Sequence, residues 1–108
     1  MSYRTEQIAE VIQHQLNNFL IKEAEPPRDM LITITGVEVT KDLSHAFIEV
    51  SVLPVNKTGT ALVFLKKNLS VAGRYISQYS TLRRVPKLML KVDDSALKHR
   101  RVERALEN

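Results

Sequence analysis

The chain of 108 residues contains no cysteine and no tryptophan, and only three glycines. Without cysteine there can be no disulfide scaffold, iron–sulfur site, cysteine-ligated zinc or cysteine nucleophile. The same absence fits a reducing compartment. Three scattered glycines cannot furnish a conventional phosphate-cradling loop, and no Walker, HExxH or GxSxG pattern occurs. Long apolar runs are missing too: nothing approaches the roughly 20 residues that span a bilayer. The opening Met-Ser-Tyr-Arg-Thr-Glu has neither a signal h-region nor the acid-poor character of a transit peptide. A cytoplasmic location is expected, away from membranes.

Acidic residues are scarce in one half only. Sixteen Lys plus Arg against twelve Asp plus Glu give a net charge of +4. Residues 1–54 carry four cations and eight acids, a balance of −4, and residues 55–108 carry twelve cations and four acids, a balance of +8. Clustered positive charge repels itself in the free protein, and a polyanionic partner relieves that repulsion. At 44% hydrophobic and 26% charged residues, the length suits a single domain over 1–108.

Local patterns set the element order. Ile8, Val11, Ile12, Leu16, Phe19 and Leu20 recur at helical spacing and predict an amphipathic helix of about five turns, stopped by Pro26-Pro27. From Met30 the period becomes two. Ile32 and Ile34 are apolar at even positions, but Val37 and Val39 at odd ones, so the phase flips at Gly36 and predicts one strand with a β-bulge. A short polar turn at 41–44 and the alternation of Ala46, Ile48, Val50 and Val52 complete a β-hairpin, and a loop is expected at 55–59. A second helix carries Leu62, Leu65, Leu69, Ala72, Ile76 and Tyr79 on one stripe. Asn68, Ser70 and Gly73 are poor interior helix residues and predict a kink or break between 68 and 73. Leu88, Leu90 and Val92 predict a third strand. Asp93-Asp94-Ser95 could cap a short final helix over 96–107, which makes capping a better role for the two aspartates than binding a cation. The class is α+β, with helices covering one face of a sheet.

Three stretches resemble the ribosome-binding factor A family. Pro27-Arg28 with Ile32 to Ala46 looks like that family's "DPR…VTI..VEVS.DL..A" hairpin, Leu82-Arg83-Arg84-Val85-Pro86-Lys87-Leu88 like its "LR.VPEL", and Asp93-Asp94-Ser95 like its "D.S". With the first helix the likeness covers nearly the whole chain. It implies a type II KH-like fold, α-β-β-α(kinked)-β with a short C-terminal helix. It further implies a 30S assembly and maturation factor that binds 16S rRNA of the immature small subunit and assists late rRNA processing. Lys87 departs from the family's usual Glu. The family replaces the KH GxxG loop by an Ala-x-Gly kink. Alignment without gaps puts Asn68-Leu69-Ser70 there, whereas Ala72-Gly73 lies almost a turn later, so all of Asn68, Ser70, Ala72 and Gly73 are kink candidates.

The candidate RNA-binding residues are Lys66, Lys67 and Arg74 on the second helix, then Arg83, Arg84 and Lys87 towards the third strand, and Lys98, Arg100, Arg101 and Arg104 in the last segment. From Lys66 to Arg104 eleven cations face only Asp93, Asp94 and Glu103, too few acids for ordinary salt-bridge lacing. Phosphate contact explains such a stretch better than a solvated face. Phe47 and Tyr75 are candidates to stack on unpaired bases, although Phe47 suits packing under the last helix equally well, and Tyr79 belongs to the core stripe. His14, His45 and His99 fall in three different elements. No catalytic residue, metal site or cofactor is expected, so the chain reads as a monomeric binding protein and not an enzyme. The other reading is a basic protein-interaction adaptor that does not act on the ribosome.

Overall fold

A computed structural model of the protein describes residues 3–93. Helix α1 (Tyr3–Lys22) is followed by strands β1 (Leu31–Val39) and β2 (His45–Leu53), a 3-10 turn (Val55–Lys57), helix α2 (Thr58–Gln78) and strand β3 (Lys87–Val92). The sheet order is β1-β2-β3, with β1 antiparallel and β3 parallel to β2. A parallel neighbour needs a crossover, and α2 supplies it. Both helices lie against one face. Ile12, Leu16, Phe19 and Leu20 of α1 and Ala61, Leu65, Ala72, Tyr75 and Ile76 of α2 bury together with Ile32, Ile34, Val39, Ala46, Ile48, Val50 and Val52. The other sheet face is open, with Phe47, Met89, Leu31 and Leu53 partly exposed on it.

The bulge occurs where the apolar phase flips. Ile34 pairs with Val50 and Gly36 with Glu49, leaving Thr35 as the extra residue. Edge strand β1 is also held by α1. Asn17 Nδ2 donates to the Ile34 carbonyl at 3.3 Å, the Ile34 amide donates to Asn17 Oδ1 at 3.2 Å, and Gln13 Nε2 reaches the same carbonyl at 3.4 Å. A single asparagine thus satisfies both backbone groups of one residue beside the bulge, on an edge that would otherwise offer them to another chain.

Two sequence-based expectations change. The loop at 55–59 is ordered as the 3-10 turn, and α2 begins at Thr58, whose Oγ1 donates to the Val55 carbonyl at 2.6 Å. Gly59 therefore sits in the first helical turn, where amides lack intrahelical partners and glycine costs little. Of the kink or break expected between Asn68 and Gly73, the break does not occur: α2 continues through Asn68, Ser70, Ala72 and Gly73 to Gln78. Asn68 Nδ2 donates to the Phe64 carbonyl one turn back at 2.8 Å, so its amide is spent within the helix. No atom would meet a Cβ placed on Gly73. Burial of Leu65 before the stretch and of Ala72, Tyr75 and Ile76 within and after it outweighs propensity costs of about 0.5–1 kcal/mol per residue. The expected cap at Asp94 and Ser95 and the final helix lie outside the described residues; Asp93 extends the β3 ladder, its amide donating to the Val50 carbonyl at 2.8 Å.

Candidate nucleic-acid interface

Helix α2 has no acidic residue in 21 positions. Its inner stripe is apolar, which leaves Lys66, Lys67 and Arg74 exposed on the outer side together with Ser70 and Gln78. Lys67 and Arg74 are seven residues apart, roughly 10 Å along the axis. Such spacing offers separate phosphate contacts instead of one chelating point.

Arg83 and Arg84 leave α2's surface altogether. They follow the helix in the connection to β3 and line an open cleft of about 990 Å³ together with Arg4 at the start of α1. Asp42 and Ser44 of the β1–β2 turn form its opposite rim. The Asp42 carboxylate is occupied within the turn: Ser44 Oγ donates at 2.7 Å, Thr40 Oγ1 at 2.8 Å and the Ser44 amide at 3.1 Å. These bonds, those of Ser44 foremost, lower its pKa from 3.8 to about 2. Lys87 goes elsewhere again. It is at the start of β3, opposite His45 in register, on the open sheet face with Lys91. The structure therefore distributes the basic stretch over three surfaces and not one. Lys98, Arg100, Arg101 and Arg104 lie outside the described residues.

Among the described residues the one ion pair is Lys57 Nζ to Asp29 Oδ2 at 3.1 Å, which ties the 3-10 turn to the α1–β1 connection and lowers the Asp29 pKa. Lys66, Lys67, Arg74, Arg83, Arg84 and Lys87 have no carboxylate partner there. Sequence reading missed Arg4 because it belongs to the acid-rich half. One signal was available: a cation in the first turn of a helix opposes the macrodipole.

The aromatic assignments are reversed. Tyr75 is buried, 8% exposed, its ring 5.5 Å from Phe19 and 4.5 Å from Tyr79, and cannot stack on a base. Tyr79 is 53% exposed, at the C-cap position just past the last helical residue of α2. Phe47 is 37% exposed on the open sheet face, paired across the sheet with Met89 and Glu38. His14 contacts Asn18 at 3.2 Å and His45 contacts Ser44 at 2.8 Å, in separate parts of the fold. Among the described residues no group of His, Asp or Glu could hold a metal ion, and no helix is long and apolar enough to cross a membrane.

Comparison with known proteins agrees with this architecture. In fold, the chain is similar to the crystal structure of ribosome-binding factor A from Thermus thermophilus, with a TM-score of 0.70 at 18% identity over 82% of this chain and 94% of that one. It is also similar to a homology model of the Thermus thermophilus factor fitted into a cryo-EM map of a 30S complex, with a TM-score of 0.64 at 18% identity over 89% and 98% of the two chains. These likenesses support the KH-like α+β fold. In sequence, ribosome-binding factor A of Desulforamulus reducens is 36% identical over 88% of this chain and 80% of its own. That of Clostridioides difficile is 36% identical over 85% and 73%. The family model described as "Ribosome-binding factor A" matches residues 4–106. The motifs in the hairpin and ahead of β3 are thus part of a likeness that runs nearly end to end, and the chain belongs to the ribosome-binding factor A family.

Proposed function

We propose that this protein is a cytoplasmic assembly factor of the small ribosomal subunit, which binds 16S rRNA in the immature subunit and assists late rRNA processing. The observation that carries this reading is the outer side of α2, where Lys66, Lys67 and Arg74 stand exposed on a helix without one acid. Family membership supplies the ribosome as the place to look. Lys66, Lys67 and Arg74 dock on phosphates; Arg83, Arg84 and Lys87 add contacts from neighbouring surfaces, and Lys98, Arg100, Arg101 and Arg104 extend them. The protein acts as a monomer and by binding, not by catalysis or through a cofactor.

The decisive experiment is sedimentation of the tagged protein with small subunits purified from cells arrested in assembly, over a series of salt concentrations. Co-sedimentation should fall steeply with salt, because each neutralised duplex phosphate contributes about 0.9 to the log–log slope. Association insensitive to salt would sink the electrostatic mechanism. A pull-down containing proteins but no small-subunit precursor rRNA would favour the adaptor reading instead.

A further inference from the structure

The cleft between the start of α1, the β1–β2 turn and the α2–β3 connection has a second property besides its arginines. Its floor is apolar. Ile8 and Val11 of α1, Leu43 of the turn, and Leu82 and Val85 of the connection all line it. A duplex offers a protein its phosphates and groove edges, and neither needs an apolar floor. An unpaired nucleotide offers both a phosphate and a base face.

Leu43 makes the floor look built rather than incidental. Its φ is 62°, in the left-handed region, where leucine is rare and glycine or asparagine would be comfortable. The turn holds it there. Its amide donates to the Thr40 carbonyl at 2.9 Å, and the flanking Asp42 and Ser44 are locked together by their own hydrogen bonds. Sequence alone would place a small polar residue at this corner. A strained backbone that keeps an apolar side chain on a cleft floor is the kind of cost that binding sites carry.

We infer that this cleft binds an unpaired RNA nucleotide, with Arg4, Arg83 and Arg84 on its phosphates and its base against the floor around Leu43. The inference rests on the rRNA-binding reading above and deepens it by dividing the labour. The outer side of α2 takes backbone phosphates of structured RNA, whereas the cleft takes single-stranded RNA. No aromatic lines the cleft among the described residues. A base there is held by apolar contact and by the planes of the arginine guanidinium groups, which stack on bases in their own right.

The test uses the whole chain and two labelled RNAs at low salt, a mixed-sequence hexaribonucleotide and a hairpin with a 12-base-pair stem closed by a short tetraloop, read by fluorescence anisotropy. Three proteins are compared: wild type, Arg4→Ala/Arg83→Ala, and Lys66→Ala/Lys67→Ala. All the replaced side chains are exposed, so circular dichroism should be unchanged. Loss of two charge-assisted contacts should weaken hexamer binding about tenfold or more and hairpin binding by much less. The α2 variant should do the converse. A wild-type protein that binds hairpin but not hexamer, or an arginine variant that keeps hexamer affinity, overturns the cleft assignment and leaves the rRNA reading standing. If neither RNA nor small subunits bind, the functional reading fails with it. Leu43→Gly gives an independent check, because it relieves the strain yet removes one of the floor's five apolar side chains. It should lose hexamer affinity while the circular dichroism spectrum shows the fold retained; unchanged affinity would count against the base contact.

Discussion

Helices α1 and α2 cover the same face of the same sheet, yet their outer sides have little in common. In α1, Arg4 and Lys22 are equalled in number by Glu6 and Glu10, and Asn17 and Gln13 reach down to the backbone of β1. In α2, three cations stand without an acid, and the one described side-chain bond from its central turns, Asn68 to Phe64, stays inside the helix. Inward both helices contribute to one core, while outward α1 bonds to its own sheet and α2 carries cations without acids. The proposed function and the fold thus draw on opposite sides of one helix, and the comparison can be broken from either side.

The largest effects should come from the shared inner side. Ile12 of α1 and Ile76 of α2 are both 0% exposed. Truncation of either to alanine should cost about 2–5 kcal/mol, seen as a lower urea midpoint with the slope unchanged. Near-equal losses support equal anchoring. A loss confined to Ile12 would mean that α1 alone anchors the core and that α2 is an appendage.

The outer sides should separate in binding rather than stability. Lys66→Glu/Lys67→Glu should leave unfolding free energy within about 0.5 kcal/mol, as surface substitutions do. Association with small subunits should weaken, and its salt slope should fall by about 0.9 for each phosphate that is no longer neutralised. The matched change on α1, Glu6→Gln/Glu10→Gln, should alter neither much. If both pairs shift binding alike, general charge and not the α2 surface governs association.

Asn17→Ala probes the reverse asymmetry, a polar α1 residue that serves the fold. It leaves the amide and carbonyl of Ile34 with weaker partners at a partly buried edge and should cost about 1 kcal/mol, without effect on binding. Faster amide exchange at Ile34 would localise the loss. Unchanged stability would mean that water replaces the asparagine at no cost.

How far these roles could be read in advance differs by element. The hairpin and its bulge were legible because strand period is two and a single flip of phase at Gly36 has few other causes. Asn68 and Gly73 do not break α2, because propensity there is worth less than the burial that brackets them. Tyr75 and Tyr79 exchange places because a stripe drawn on an ideal helix does not show where the helix ends: Ile76 is still fully buried, and Tyr79 is the cap beyond it. The basic stretch was recognised as such, but its division over α2, the cleft and the open sheet face was not, since that depends on where three chain segments meet. Arg4 shows the limit most clearly. It stands near the opposite end of the described chain from Arg83, and only the packing of α1 against the β1–β2 turn brings them to one cleft.

The smallest effect concerns the rim of that cleft and has a definite sign. Asp42 is exposed, and Ser44 and Thr40 hold its pKa at about 2, below its ordinary 3.8. A carboxylate whose folded-state pKa is lowered stabilises the fold where it is ionised in both states, above pH ~4, and that contribution is lost as the pH falls from ~4 towards 2. Asp42→Asn keeps an acceptor oxygen but not the charge, so the variant should be slightly less stable than wild type at pH 7. The gap should narrow through pH 3 and close near pH 2. Urea midpoints for both proteins at pH 7, 3 and 2 measure it. A gap that stays constant across that window would mean that the turn depends on the shape of the Asp42 side chain and not on its charge. The locked conformation of Leu43 beneath the cleft would then be a matter of packing alone.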